Sequence, residues 1–275
     1  MAKKPPDKIG PWSETKLEIL KDYATSYMTV LAQQKIIRRV VYIDACAGAG
    51  VHVSKQSGKM VPGSPTNALN VRPPFDEFHF VDLDRSRAGE LENQVEGRPN
   101  AHVYHDDCND VLLKKIFPRC RFQDYARGLC LIDPYKLAIN WNVLATAGSM
   151  KSIEVFYNFM IMDANMNMFL REPNDARPAE IERINAVWGD DSWRRAVYRK
   201  GRSLFGEIEE KRNNEAIAEA FRKRLEEVAG FKYVPEPVPM RNSTGAVVYY
   251  LYFASPNKTG ATIVEHIFRK YRKEA

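Results

Sequence analysis

The sequence predicts an α/β protein: a mostly parallel sheet with helices on both faces, finished near the carboxyl end by an antiparallel hairpin strand. Three observations carry that expectation. Short β-branched and aromatic runs alternate with segments of helical period over the first 160 or so residues, the pattern of a parallel sheet covered on both sides. Acids stand at or just past the ends of these runs, at Asp44, Asp82, Asp107 and Asp133. Two late strand-like runs flank Asn242-Ser243-Thr244-Gly245, a turn composition that folds them back on each other.

In chain order, the charged, proline-bearing start MAKKPPDKIGPW lacks the apolar centre of a secretory signal and is expected to be a flexible lead over residues 1–12. A helix is expected from Ser13 to about Gln34, where Leu17, Leu20, Tyr23, Tyr27 and Leu31 recur at steps of three and four. Strands are expected at Arg38 to Ala45 (RRVVYIDA), Glu77 to Val81, Ala101 to His105, Gly128 to Ile132 and Ser152 to Tyr157. Helices fill the gaps at Pro65 to Val71, Ser86 to Val95 and Asp110 to Phe117. Gly63-Ser64-Pro65 reads as a helix start with Ser64 as N-cap and Pro65 at the first helical position. A long, charged helical insertion is expected over about 163–230, ahead of the hairpin and a closing helix. No repeat, low-complexity tract or linker divides the chain, so residues 13–275 read as one domain.

Composition narrows the function classes. The chain has 275 residues, 44% hydrophobic and 28% charged, and no apolar run near the ~20 residues of a membrane span. The four cysteines form no C-x-x-C pair and no finger spacing with histidine, which favours reduced thiols in a cytoplasmic protein without a structural metal. A net charge of +6 is compatible with a polyanionic partner such as nucleic acid and does not require one.

The chemistry concentrates at the ends of the runs. In VVYIDACAGAGVH, Asp44 is followed by Gly48 and Gly50, which let the backbone turn tightly and let a ligand come close. Val53 stands where a nicotinamide fingerprint needs its third glycine, and no Gly-Lys-Ser/Thr phosphate loop exists. An acid followed by such a loop suits S-adenosylmethionine (S-adenosyl-L-methionine). Asp82 is placed to accept both ribose hydroxyls, and Asp107 to accept from the adenine amino group, with Asp84 and Asp106 able to exchange roles with them. Ser64 and the amides after it would face the methionine end. Asp133, Pro134 and Tyr135 would meet the acceptor: the carboxylate and the proline carbonyl take N–H bonds from an amino group, and the ring stacks on a flat base. In WRRAVYRKGR, Arg194, Arg195 and Arg199 could grip phosphates while Trp193 and Tyr198 stack on a base, although a solvated helix face explains the same residues. Phe156 to Phe169, rich in methionine and aromatics, is expected in the core.

WSETKLEILKDY, VVYIDACAGAG, GSPTNAL, PPFDEFHFVDLD, LIDPY, GDDSWR and YYLYFAS together resemble the three-Cys-motif partner family. That resemblance implies a Rossmann-like class I methyltransferase fold, a bacterial or phage-associated origin, a S-adenosylmethionine site, and a genomic neighbour of radical-SAM type that carries the three cysteines. The Asp133-Pro134-Tyr135 turn is also similar to the Asp-Pro-Pro-Tyr motif of adenine-N6 and cytosine-N4 methyltransferases, shortened by one proline. Cys46 replaces the usual first glycine of the methyltransferase loop. Two functions follow: methyl transfer to an amino nitrogen of a nucleobase, or a non-catalytic, nucleotide-binding partner of the three-Cys radical-SAM-type protein.

Overall fold

A computed structural model describes residues 6–172, 175–203 and 206–272, with the backbone alone at 202, 203 and 206–208. The large sheet has seven strands: β1 (Arg39–Asp44), β2 (Glu77–Val81), β3 (Ala101–Tyr104), β4 (Ala126–Ile132), β5 (Ile153–Phe159), β6 (Val238–Arg241) and β7 (Val247–Ala254). Their spatial order is 3-2-1-4-5-7-6. β1 pairs in parallel with β2 and β4, and the parallel ladder continues from β2 to β3 and from β4 to β5. β7 runs antiparallel to both β5 and β6, as the late turn required. This is a mostly parallel α/β architecture with helices on both faces and one antiparallel strand set between β5 and β6. The strand order reverses direction between β1 and β4, and in open α/β sheets ligands lodge outside the carboxyl ends of the strands at such a switch point.

Alternation along the strands divides the core between the two faces. Val40 and Tyr42 join Leu129, Leu131, Phe78 and Phe80 in one cluster, which the helices Pro11–Leu31 and Lys258–Arg272 cover. Val41 and Ile43 join Cys130, Ile132, Val155 and Tyr157 in the other. There the cover is the helix Trp141–Met150 together with Trp188, Trp193 and Phe221 of the insertion. The insertion therefore shares a core with the sheet.

Three expected boundaries change. Lys8–Ile9 pairs with Val53 and Ser54 as a small strand, and the first helix starts at Pro11, so the second half of the expected flexible lead is structured. Pro11 fits the first turn because its missing N–H has no intrahelical partner there. Gly63, not Ser64, is the N-cap of the helix Ser64–Leu69, with Ser64 as its first residue. The charged insertion is not helical throughout: Tyr198–Ser203 and Gly206–Lys211 form an antiparallel hairpin between the helices Trp193–Val197 and Asn214–Glu227. The antiparallel backbone ladder between the two strands holds that charge-rich stretch extended, with Arg199 set opposite Glu210 across it. Among the described residues no helix is long and apolar enough to cross a membrane.

Candidate functional site

The turn after β1 lies across the ends of three strands. The Ala45 amide donates to the Leu131 carbonyl at the end of β4 (2.9 Å), and the Ala47 amide to the Val81 carbonyl at the end of β2 (2.9 Å). Asp82 completes the brace: its Oδ2 accepts from the Gly48 amide and its Oδ1 from the Asp84 amide, both at 2.8 Å. On the other side, the Gly50 carbonyl accepts from the Gly63 amide (2.8 Å) and from Thr66 Oγ1 (2.6 Å), while Gln94 Nε2 donates to the Ala49 carbonyl (2.7 Å). The loop is fixed before any ligand arrives.

Its two glycines serve different ends. Both take positive φ, +67° at Gly48 and +77° at Gly50, where a Cβ is strained. A Cβ on Gly48 would meet nothing nearer than His52 Cε1 at 4.0 Å, so that side of the loop is open. A Cβ on Gly50 would run into the Gln94 amide. Gly50 thus lets a side chain close on the loop, in place of the cofactor approach expected there. A cavity of about 340 Å³ beside this closure is lined by Ala49, Val51 and Gln94, among others, and by none of the four strand-end acids.

Asp44 is fully buried, and neither of its oxygens has a hydrogen-bond partner among the described residues. Burial pushes its carboxyl up to about 7, with the Ser64 hydroxyl, Lys16 and the Cys46 amide opposing and Asp133 reinforcing. Ser64, the Tyr42 hydroxyl and the Cys46 amide face the carboxylate without closing hydrogen bonds of good geometry. Beside it, hydrogen bonding to the Cys108 sulfur and burial push the Cys46 thiol up, so it is neutral. Other polar atoms of the neighbourhood are also buried without partners among the described residues: Asn158 Oδ1, Tyr157 OH and His52 Nδ1. Buried polar atoms are ordinarily paired, and each exception calls for a reason.

Asp133 follows β4, opposite Asn158 on β5. The Lys16 ammonium pairs with its Oδ2 and the Asn158 amide donates to its Oδ1. Lys16 is only 9% exposed and its ammonium also lies 5.7 Å from the Tyr249 ring. Pro134 is buried, whereas Tyr135 is 79% exposed and carries Lys136 over its ring. Lys136 and Leu137 both adopt positive φ, +51° and +58°. Two such residues in succession cost on the order of 1–3 kcal/mol each and accumulate at functional turns.

Asp44, Gly48, Ser64, Asp82 and Asp133 therefore gather around the carboxyl ends of β1, β2 and β4. The other expected residues lie differently. Asp107 is exposed, and its Oδ1 caps the helix Cys108–Val111 by accepting from the Asn109 and Asp110 amides, so one oxygen of the expected adenine acceptor is already engaged. Asp84 likewise caps Arg85–Gln94. Arg194 and Arg195 sit on a short helix of the insertion, and Arg199 pairs with Glu210 at 2.8 Å. Trp193 and Tyr198 are buried core residues, which removes the base-stacking surfaces expected beside those arginines.

Sequence reasoning missed Lys16 and Asn158. A signal existed for each: Lys16 lies four residues before Leu20 on the apolar stripe of its helix, and Asn158 interrupts a continuously buried strand. Among the described residues no group of three or more His, Cys, Asp or Glu is placed to hold a metal ion. All four cysteines are unbridged.

The residues present fit S-adenosylmethionine at two points. Asp44 offers an unpaired buried carboxylate to a cationic amino group, and Asp82, with two of about four lone-pair sites used, has capacity for ribose hydroxyls.

The fold is similar to that of solved structures. Legionella pneumophila protein LPL1258 matches with a TM-score of 0.51 at 10% identity, over 93% of this chain and 91% of that one. Weaker likenesses are a candidate methyltransferase of Thermobifida fusca YX (TM-score 0.44, 12% identity, 88% and 80% of the two chains) and a SAM-dependent methyltransferase of Anabaena variabilis (0.31, 10%, 92% and 97%). No family model matches the chain, and no curated protein does. The likeness to the three-Cys-motif partner family is thus carried by the sequence motifs alone.

Proposed function

We propose that this chain is a S-adenosylmethionine-dependent methyltransferase whose acceptor is an amino nitrogen of a nucleobase. The observation that carries the proposal is the buried Asp44 carboxylate, unpaired beside an open glycine at the sheet's switch point. A carboxylate pushed up to about 7 by burial returns to its ionised form when a cation reaches it, and the α-ammonium of an amino acid supplies one. Asp82 holds the Gly48 amide in place and accepts ribose hydroxyls on its remaining lone pairs. When bound, the cofactor supplies an electrophilic methyl group on a sulfonium.

The chain's own contribution at the acceptor is orientation. Lys16 and the Asn158 amide fix the Asp133 carboxylate, each taking one lone pair of one oxygen. A second lone pair on each oxygen, the Pro134 carbonyl and the unpaired Asn158 Oδ1 remain to accept N–H bonds from an aromatic amine. Such acceptance draws the nitrogen lone pair out of the ring and aims it. Tyr135, exposed at the rim, provides a surface on which a base can stack. Correct placement of two reactants supplies about 7–11 kcal/mol of a bimolecular barrier, more than any single hydrogen bond here.

Engagement of both Asp133 oxygens favours the second function, a non-catalytic binder in which Asp-Pro-Tyr is only a turn. Calorimetry with S-adenosylmethionine and transfer of labelled methyl to RNA, DNA and nucleotide acceptors separates the two. The methyltransferase predicts binding lost in Asp82→Ala and turnover lost, with binding retained, in Asp133→Ala. Binding without turnover on every acceptor supports the binder; no binding of S-adenosylmethionine at all overturns the methyltransferase.

A further inference from the structure

At the opposite end of the strands, where β4 and β5 begin, a cavity of about 380 Å³ collects cations from four separate segments: Arg127, Lys151, Lys232 and Lys258. Among the described residues no carboxylate is ion-paired with any of them. Arg127 is the most telling, because its guanidinium is partly buried, lies 4.4 Å from the Phe122 ring and donates to the Ala126 carbonyl, its own neighbour. Burial pushes its pKa down, as for a cation short of compensating charge. Tyr27, only 6% exposed, also lines the cavity, and among the described residues its hydroxyl has no partner. A buried donor without an acceptor among the described residues, set among cations with no carboxylate paired to them, makes a place suited to an anion.

The remaining wall fits the same ligand. Among the described residues Glu154 is the one acid lining the cavity, and both its oxygens are turned to other partners, the Tyr23 hydroxyl and Ser255 Oγ. The fifteen-residue helix Lys258–Arg272 begins at the rim, so its positive end adds to the field. Phe122, 55% exposed, and Tyr233, fixed by its bridge to Ser255, present flat apolar rings beside the cations. Strands of this length separate the cavity from Asp44 and Asp133 by roughly 20 Å.

We propose that this cavity is a second binding site, for a nucleotide held by its phosphates against Arg127, Lys151, Lys232, Lys258 and the Tyr27 hydroxyl, with its base against Phe122 or Tyr233. The site is independent of the methyltransferase reading, and its test does not involve methyl transfer. Calorimetry on the full chain with ADP, pyrophosphate and adenosine is expected to give ADP the highest affinity and adenosine the lowest. Arg127→Met, which retains the stem against Phe122, weakens ADP by at least about tenfold and Tyr27→Phe by several-fold. Lys232→Ala combined with Lys258→Ala, both at exposed positions, weakens it without threatening the fold. S-adenosylmethionine affinity is unchanged in all three. No binding of ADP or pyrophosphate at millimolar concentration, or ADP affinity unaltered in the double lysine variant, overturns the site. ADP binding no tighter than pyrophosphate overturns the nucleotide assignment.

Discussion

Asp44 and Glu154 are both buried carboxylates on this sheet, both pushed up to about 7 by burial, yet they are furnished differently. Glu154, at the amino end of β5, accepts from the Tyr23 hydroxyl and from Ser255 Oγ, so each oxygen is satisfied within the chain. Asp44, at the carboxyl end of β1, has no partner on either oxygen among the described residues. Equal burial with unequal pairing separates a group that holds the fold from one kept for a ligand. Desolvation by itself reports neither role; the partners decide it.

The largest expected effect opposes the two residues. Glu154→Ala leaves the buried Tyr23 OH without its acceptor, leaves Ser255 Oγ to its bonds with Asn257, and opens a cavity, costing about 3 kcal/mol of unfolding free energy in urea titrations while S-adenosylmethionine affinity holds. Asp44→Asn, by contrast, lowers cofactor affinity by about ten- to a hundredfold, the worth of a charge-assisted hydrogen bond, and stabilises the free protein above pH 7. A cofactor affinity equally sensitive to both residues would erase the contrast.

pH sharpens it next. Each folded-state pKa lies above its ordinary value, 3.8 for Asp44 and 4.5 for Glu154. The folded protein therefore holds more protons than the unfolded chain between about pH 4 and 7, and stability falls as pH rises through that window, levelling above it. Asp44→Asn should flatten that slope in melts at pH 5 and pH 8. Saturation with S-adenosylmethionine should flatten it too, by holding Asp44 ionised.

A smaller pair of effects belongs to the loop above Asp44. Gly50→Ala adds a clash with Gln94 to the strain of positive φ and is expected to cost about 2–3 kcal/mol. Gly48→Ala carries the strain alone, about 1 kcal/mol, so its loss of cofactor affinity should exceed its loss of stability. Smallest of all is Arg199→Ala, which removes an exposed ion pair with Glu210 and should move stability by less than about 0.5 kcal/mol.

Strands and helices around the first five runs were legible because burial on both faces of a parallel sheet leaves few sequence solutions. Glu77–Val81 appears with the expected bounds, and β7 is antiparallel as the Asn242–Gly245 turn required. The insertion was less legible, because Tyr198–Ser203 is as charged as a solvated helix and becomes a strand only through its partner Gly206–Lys211. In the site, acids were easier to find than their partners. Asp44 and Asp82 stand out at strand ends, whereas Lys16 reaches Asp133 across more than a hundred residues of chain. Gln94 likewise fills the space beside Gly50 from a helix that the glycine motif says nothing about.

The sequence by itself determined the alternation of strand and helix, the late antiparallel hairpin and the acids at the strand ends, since these follow from local periodicity and turn chemistry. Only the tertiary structure decided which acids are left unpaired. Pairing depends on which distant side chain arrives, and that is set by packing across the sheet: Asp82 is bound to the loop, Asp107 to its own helix, Asp133 to Lys16 and Asn158, and Asp44 to no residue described.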